Sequence, residues 1–125
     1  MLDAILDMYD HTIQVTSNPK IFLPEYEWLT SQIKAEARMI YHCCRVANED
    51  LDNRIAEDAA ERLRLEEQAL QTCYDLKTDI RLAKKIFHLR ARKAIAWTEY
   101  VNKAIKLIKV WHCSEEKCYK ENHGL

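Results

Sequence analysis

The sequence predicts an all-α protein, an antiparallel up-and-down four-helix bundle, and three observations carry that prediction. No glycine or proline stands between Pro24 and Gly124. Glycine is the default residue for turns with positive φ, and proline interrupts helix interiors and sheet ladders. A span of this length without either therefore reads as helices joined by tight links. The span is filled with Ala, Leu, Glu, Lys and Arg, which favour helices, together with Ile. Finally, apolar residues recur at three- and four-residue spacing in four successive stretches. A hydrophobic fraction of 48% excludes disorder, and 31% charged residues suit solvated outer helix faces. At 125 residues the chain is one domain with room for its own core.

The first helix carries Leu2, Ile5, Leu6, Tyr9 and Ile13, and its pattern ends at Thr16-Ser17-Asn18-Pro19. The loop from Ser17 to Leu23 holds apolar Ile21, Phe22 and Leu23, which are expected to tuck under the bundle end. Pro24 opens the second helix, with Glu25 and Glu27 in its electropositive first turn. That helix shows Leu29, Ile33, Ala37, Ile40, Cys44, Ala47 and Leu51 as one stripe, and the polar run Asn48–Asn53 supplies the next turn. The third helix reads through Ala59, Leu63, Leu70, Cys73, Leu76, Ile80, Ala83 and Phe87. The fourth shows Ala94, Trp97, Val101, Ala104, Ile108 and Trp111, widened by Ile95, Ile105 and Leu107.

Between the last two helices only Phe87-His88-Leu89 marks a break. A single helix from Arg54 to His112 would be about 90 Å long at 1.5 Å per residue, far outside globular norms, so a tight turn near His88 is the better reading. The bundle is thus assigned to residues 1–112, and residues 113–125 to a polar, flexible tail.

The net charge of −1 conceals a gradient. Residues 1–53 hold four basic and nine acidic side chains, residues 54–86 seven of each, and residues 87–125 eight basic against four acidic. Within Lys77–Lys109 ten basic residues face only Asp79 and Glu99, a local field that a polyanion or acidic partner could use. The five cysteines, an odd set in no regular framework, read as reduced thiols. No apolar run approaches the roughly 18 residues of a membrane span. Met1-Leu2-Asp3-Ala4 shows no secretory pattern, so a cytoplasmic location is expected.

The order of elements and certain residues resemble a known family. A short first helix leads to the aromatic-proline loop Phe22-Leu23-Pro24 and a Leu-Thr-Ser-Gln-Ile opening at Leu29–Ile33. A long third helix contains Tyr74-Asp75-Leu76-Lys77-Thr78-Asp79-Ile80-Arg81-Leu82-Ala83, and the fourth closes on Ile105-Lys106-Leu107-Ile108-Lys109-Val110-Trp111. Over residues 8–112 this resembles the Avd-like four-helix-bundle family. Its members are the accessory variability proteins of diversity-generating retroelements and the bundle proteins encoded in 23S ribosomal RNA intervening sequences. The chain departs from the family pattern at His88, where a capping Ser is common, and at Val110, where a Gly usually precedes the Trp. The resemblance implies a homopentameric barrel without catalysis of its own, binding the element's reverse transcriptase and template RNA to support mutagenic cDNA synthesis. The alternatives are an oligomeric scaffold of the intervening-sequence type and a HEPN-type ribonuclease. The family's accessory members are markedly basic, whereas this chain is near neutral.

The residues expected to contact nucleic acid or partner are Lys77, Arg81, Lys84, Lys85, Arg90, Arg92, Lys93, Lys103, Lys106 and Lys109. The plainer account of such a stripe is a solubilising face. A second basic line, Lys34, Arg38, His42 and Arg45, sits among acidic residues. Trp97 and Trp111, two heptads apart, could stack bases but suit a core or subunit interface better, and Trp28 suits an oligomer contact. Cys113, Cys118 and His123, beside His112, match no standard zinc spacing, so no metal and no cofactor is assigned. A di-iron bundle needs Glu-x-x-His pairs and a zinc protease His-Glu-x-x-His; neither is present. Arg81 and His88 have the spacing of a HEPN ribonuclease motif, but His88 is expected in the turn rather than on one helix with Arg81.

Overall fold

The computed structural model describes residues 1–124, which form four α-helices and no strand. These are α1 (Leu2–Thr16), α2 (Glu27–Arg45), α3 (Ala56–Phe87) and α4 (Ala91–Asn122). Leu23 is extended, as the residue before a proline must be, and Pro24–Tyr26 form a 3₁₀ turn that runs into α2. Past Arg45 the chain widens into a π-turn, Val46–Asp50, over the polar run where a turn is expected.

The helices pack as a closed ring in which α1 touches α2 and α4, and α3 touches α2 and α4. The core holds the predicted stripes of α2 and α4 almost intact: Leu29, Ile33, Ala37, Ile40, Cys44 and Ala47 from α2 and the π-turn, and Ala94, Trp97, Val101, Ala104 and Ile108 from α4. In α1 the buried face is instead Ile5, Met8, Thr12 and Thr16, and Leu6 and Ile13 of the expected stripe are exposed. Trp97 is the largest fully buried side chain, and its indole N–H donates to Thr12 Oγ1 at 3.0 Å. Phe22 folds back from its loop onto Phe87, with ring centroids 4.6 Å apart, closing that end of the bundle as its sequence suggests.

Three further expectations are corrected. The first half of α3 buries Arg62, Leu65, Glu66 and Ala69, while Leu63 and Leu70 are only half-buried. Three- and four-residue spacing from Ala59 through Arg62, Glu66 and Ala69 to Cys73 is unbroken, so the core stripe passes through two charged residues. Ile95, expected to widen the core, is 58% exposed.

The third correction concerns the boundary at residue 112. The fourth helix continues through Cys113 to Asn122. Its last turns dock on the start of α3, where Glu115 pairs with Arg62, and on the turn before it, where the His123 Nε2 lies 3.2 Å from the Asn53 carbonyl oxygen. Polar docking leaves no apolar period, which is why the sequence pattern dies before the helix does.

The turn at His88 falls where the sequence places it. His88 adopts φ 52° and ψ 46°, the left-handed region, and is the one described non-glycine residue with positive φ. The His88 and Leu89 amides both turn back to the Lys84 carbonyl, closing the end of α3. The other end of α3 is organised by Asp52, whose Oδ1 accepts from the Arg54 amide at 2.9 Å, and by Asp58, whose Oδ2 accepts from the Asp52 amide at 3.1 Å.

Candidate nucleic-acid interface and a buried polar cluster

Nine of the ten predicted basic contacts are exposed, and Lys77 is half-buried. None of the ten is engaged in an ion pair among the described residues. They fall into groups. Arg81 and Lys84 border a cleft of about 380 Å³ between α3 and α4, with Ile95, Thr98, Glu99 and Asn102 on its far wall. Lys109 extends this seam, its Nζ 5.5 Å from the centre of the Tyr74 ring, and Lys77 follows Tyr74 by three positions on the same side of α3. At the turn, Arg90 and Lys93 line a second hollow of about 290 Å³ with Ile21, Phe87, His88 and Leu89. Lys85, Arg92, Lys103 and Lys106 border neither hollow.

Of the two acids in this segment, Asp79 faces Glu36 on α2, and Glu99 is the one carboxylate in the seam cleft. The second basic line is partly spent, because Arg45 pairs with Asp50 at 3.2 Å.

A second site, which the sequence reading missed, lies between the first half of α3 and the last turns of α4. Arg62 is buried and donates through one terminal nitrogen to the carbonyl oxygens of Ala47 and Leu51, at 2.6 and 2.9 Å. It thereby satisfies acceptors left open where the π-turn ends. Its other nitrogens reach Glu115, and its guanidinium carbon stands 5.9 Å from the Trp111 ring centre.

One turn further along α3, Glu66 is fully buried, with Oε1 2.9 Å from His112 Nδ1. Burial raises the Glu66 carboxyl from an ordinary 4.5 to about 7, against the opposing pull of the His112 hydrogen bond. The other imidazole nitrogen, Nε2, lies 2.8 Å from Glu116 Oε1 and 3.5 Å from Glu67 Oε1. The legible signals were the i, i+4 pair His112–Glu116 and the charged positions occupying the α3 core phase.

The Cys-His tail does not converge. Cys113 and Cys118 are exposed on α4, His123 turns to Asn53, and His112 turns to the glutamates. Cys43, Cys44 and Cys73 are buried, and burial pushes all three thiols up, as befits small core residues rather than nucleophiles. Trp97 belongs to the core, Trp111 is half-buried under Arg62, and Trp28 is 61% exposed. Arg81 lies on α3, whereas His88 lies in the turn beyond it. No described helix is long and apolar enough to cross a membrane. No family model matches the chain, and neither a curated protein nor a solved structure matches it.

Proposed function

We propose that this chain is a non-catalytic, cytoplasmic accessory protein of a diversity-generating retroelement, binding the element's reverse transcriptase and template RNA during mutagenic cDNA synthesis. Its helices form an antiparallel up-and-down bundle, and five copies close into a barrel. The observation that carries the reading is the set of exposed basic side chains on both sides of the His88 turn, none spent on an internal ion pair among the described residues. Phosphate neutralisation needs such unspent cations, and each engaged phosphate adds to the salt dependence of binding. The resemblance over residues 8–112 supplies the identity of the polyanion and the polymerase partner.

Template-RNA binding measured from low to moderate salt tests this. If about four to six phosphates are engaged, log affinity falls with log salt at a slope of roughly −3 to −4 for single strands. Lys84→Glu with Arg92→Glu should weaken binding at least tenfold and flatten that slope. Salt-insensitive binding, or binding unchanged by the double reversal, would overturn the reading. A neighbouring reverse-transcriptase gene with a paired template and variable repeat is the expected genomic setting.

A further inference from the structure

We propose that Glu67, His112 and Glu116 form a binding site for a divalent transition-metal ion of the zinc type. One oxygen of each glutamate and the imidazole nitrogen all lie within 4.8 Å of one another. Zinc–ligand bonds of about 2.0–2.1 Å place tetrahedral donor atoms roughly 3.3 Å apart. The separations from His112 Nε2 to Glu116 and Glu67, 2.8 and 3.5 Å, bracket that spacing. His112 and Glu116 are one helical turn apart on α4, and Glu67 faces them from α3.

The second observation is Glu66. It is wholly buried, its Oε1 meets His112 Nδ1 at 2.9 Å, and its Oε2 has no partner among the described residues. A carboxylate accepting from one imidazole nitrogen fixes the tautomer and turns the other nitrogen's lone pair outward, the usual support behind a histidine metal ligand. Here that lone pair points at two further carboxylates. A single proton on Nε2 can satisfy one of them; a dication satisfies all three donors at once.

The donor set selects the ion. One imidazole and two carboxylates suit zinc and its first-row neighbours, whereas magnesium and calcium take oxygen shells. The Glu67 and Glu116 side chains are 67% and 45% exposed, so the remaining coordination position faces solvent and takes water. The Arg62–Glu115 pair, adjacent on both helices, holds the two sides in register. The site is independent of the RNA reading and stands or falls separately from it.

The test uses the metal-free full-length chain carrying Cys113→Ser and Cys118→Ser, which removes the exposed thiols, titrated with zinc alone against a chromophoric chelator. One zinc per chain is expected, not displaced by excess magnesium or calcium, with an X-ray absorption shell of nitrogen and oxygen only. Glu116→Gln, at an exposed position that leaves the fold intact by circular dichroism, should abolish the stoichiometric binding. Glu66→Gln should weaken it about 10–100-fold. Absence of binding, or zinc affinity unchanged by Glu116→Gln, would overturn the proposal and leave the cluster an ion-pair network.

Discussion

At the scale of single residues, the fold spends stability on buried acids. Glu36 on α2 is buried, and desolvation, then the hydrogen bond and charge of Asp79, then the charge of Asp75, hold its carboxyl well above the usual range. Glu66 is raised to about 7 for the same leading reason. An acid whose folded pKa exceeds its unfolded value binds more protons in the native state, so stability falls as pH rises between the two values. Urea unfolding should therefore show stability declining from about pH 4.5 to pH 8. Glu36→Gln, which keeps the shape and offers Asp79 a donor, should raise stability at pH 8 by roughly 1–3 kcal/mol and flatten the decline. A stability that climbs across this window would show that both acids are ionised without penalty. Periodicity arguments that count only apolar positions pass over these residues. Arg62 and Glu66 occupy core positions on α3, and only their phase relative to Ala59, Ala69 and Cys73 gives them away.

At the scale of elements, the ends of helices were harder to read than their middles. The stripes of α2 and α4 were legible because the apolar residues at three- and four-residue spacing meet the core, Ile95 excepted. The end of α4 was not, since Glu115 and the turns beyond it dock through charge and hydrogen bonds. That docking is testable. Glu115→Ala leaves the buried Arg62 without its carboxylate, a change of about 3–5 kcal/mol for a buried pair. Amide protection from Cys113 to Asn122 should collapse to that of a frayed end, while protection around Trp97 persists; unchanged protection in the last turns would show that the pair does not hold them. The His88 turn was legible from its position alone, although its conformation was not, because His is an unusual choice for the left-handed region. A non-glycine residue there costs about 1–2 kcal/mol. Part of that returns as unfolded-state entropy when glycine replaces it. His88→Gly should accordingly stabilise the chain by about 1 kcal/mol, read as a shift of the urea midpoint at constant slope.

At the scale of the whole molecule, the charge gradient becomes a gradient in space. The acidic helix is α1, which holds Asp3, Asp7 and Asp10 and no lysine or arginine, and the basic one is α4, with seven lysines and arginines against four glutamates, while α2 is close to balanced. The most exposed large apolar side chains lie on two helices: Trp28, 61% exposed, is on α2, while Ile95 and Val110, at 58% and 67%, are on α4. In the ring, α2 and α4 are diagonal rather than adjacent. A protomer with two different exposed apolar patches, Trp28 on α2 and Ile95 with Val110 on α4, suits a head-to-tail contact, which closes into a cyclic ring, rather than a self-complementary two-fold dimer. The proposed pentamer would then set the α2 face of one copy against the α4 face of the next. Light scattering at micromolar concentration should give a mass five times the 14.8 kDa of the chain. Ile95→Glu should reduce it to that of one chain without lowering the urea midpoint, because the side chain is exposed in the single bundle. A monomer at micromolar concentration would overturn the ring, and a dimer unaffected by Ile95→Glu would replace it with a two-fold contact elsewhere.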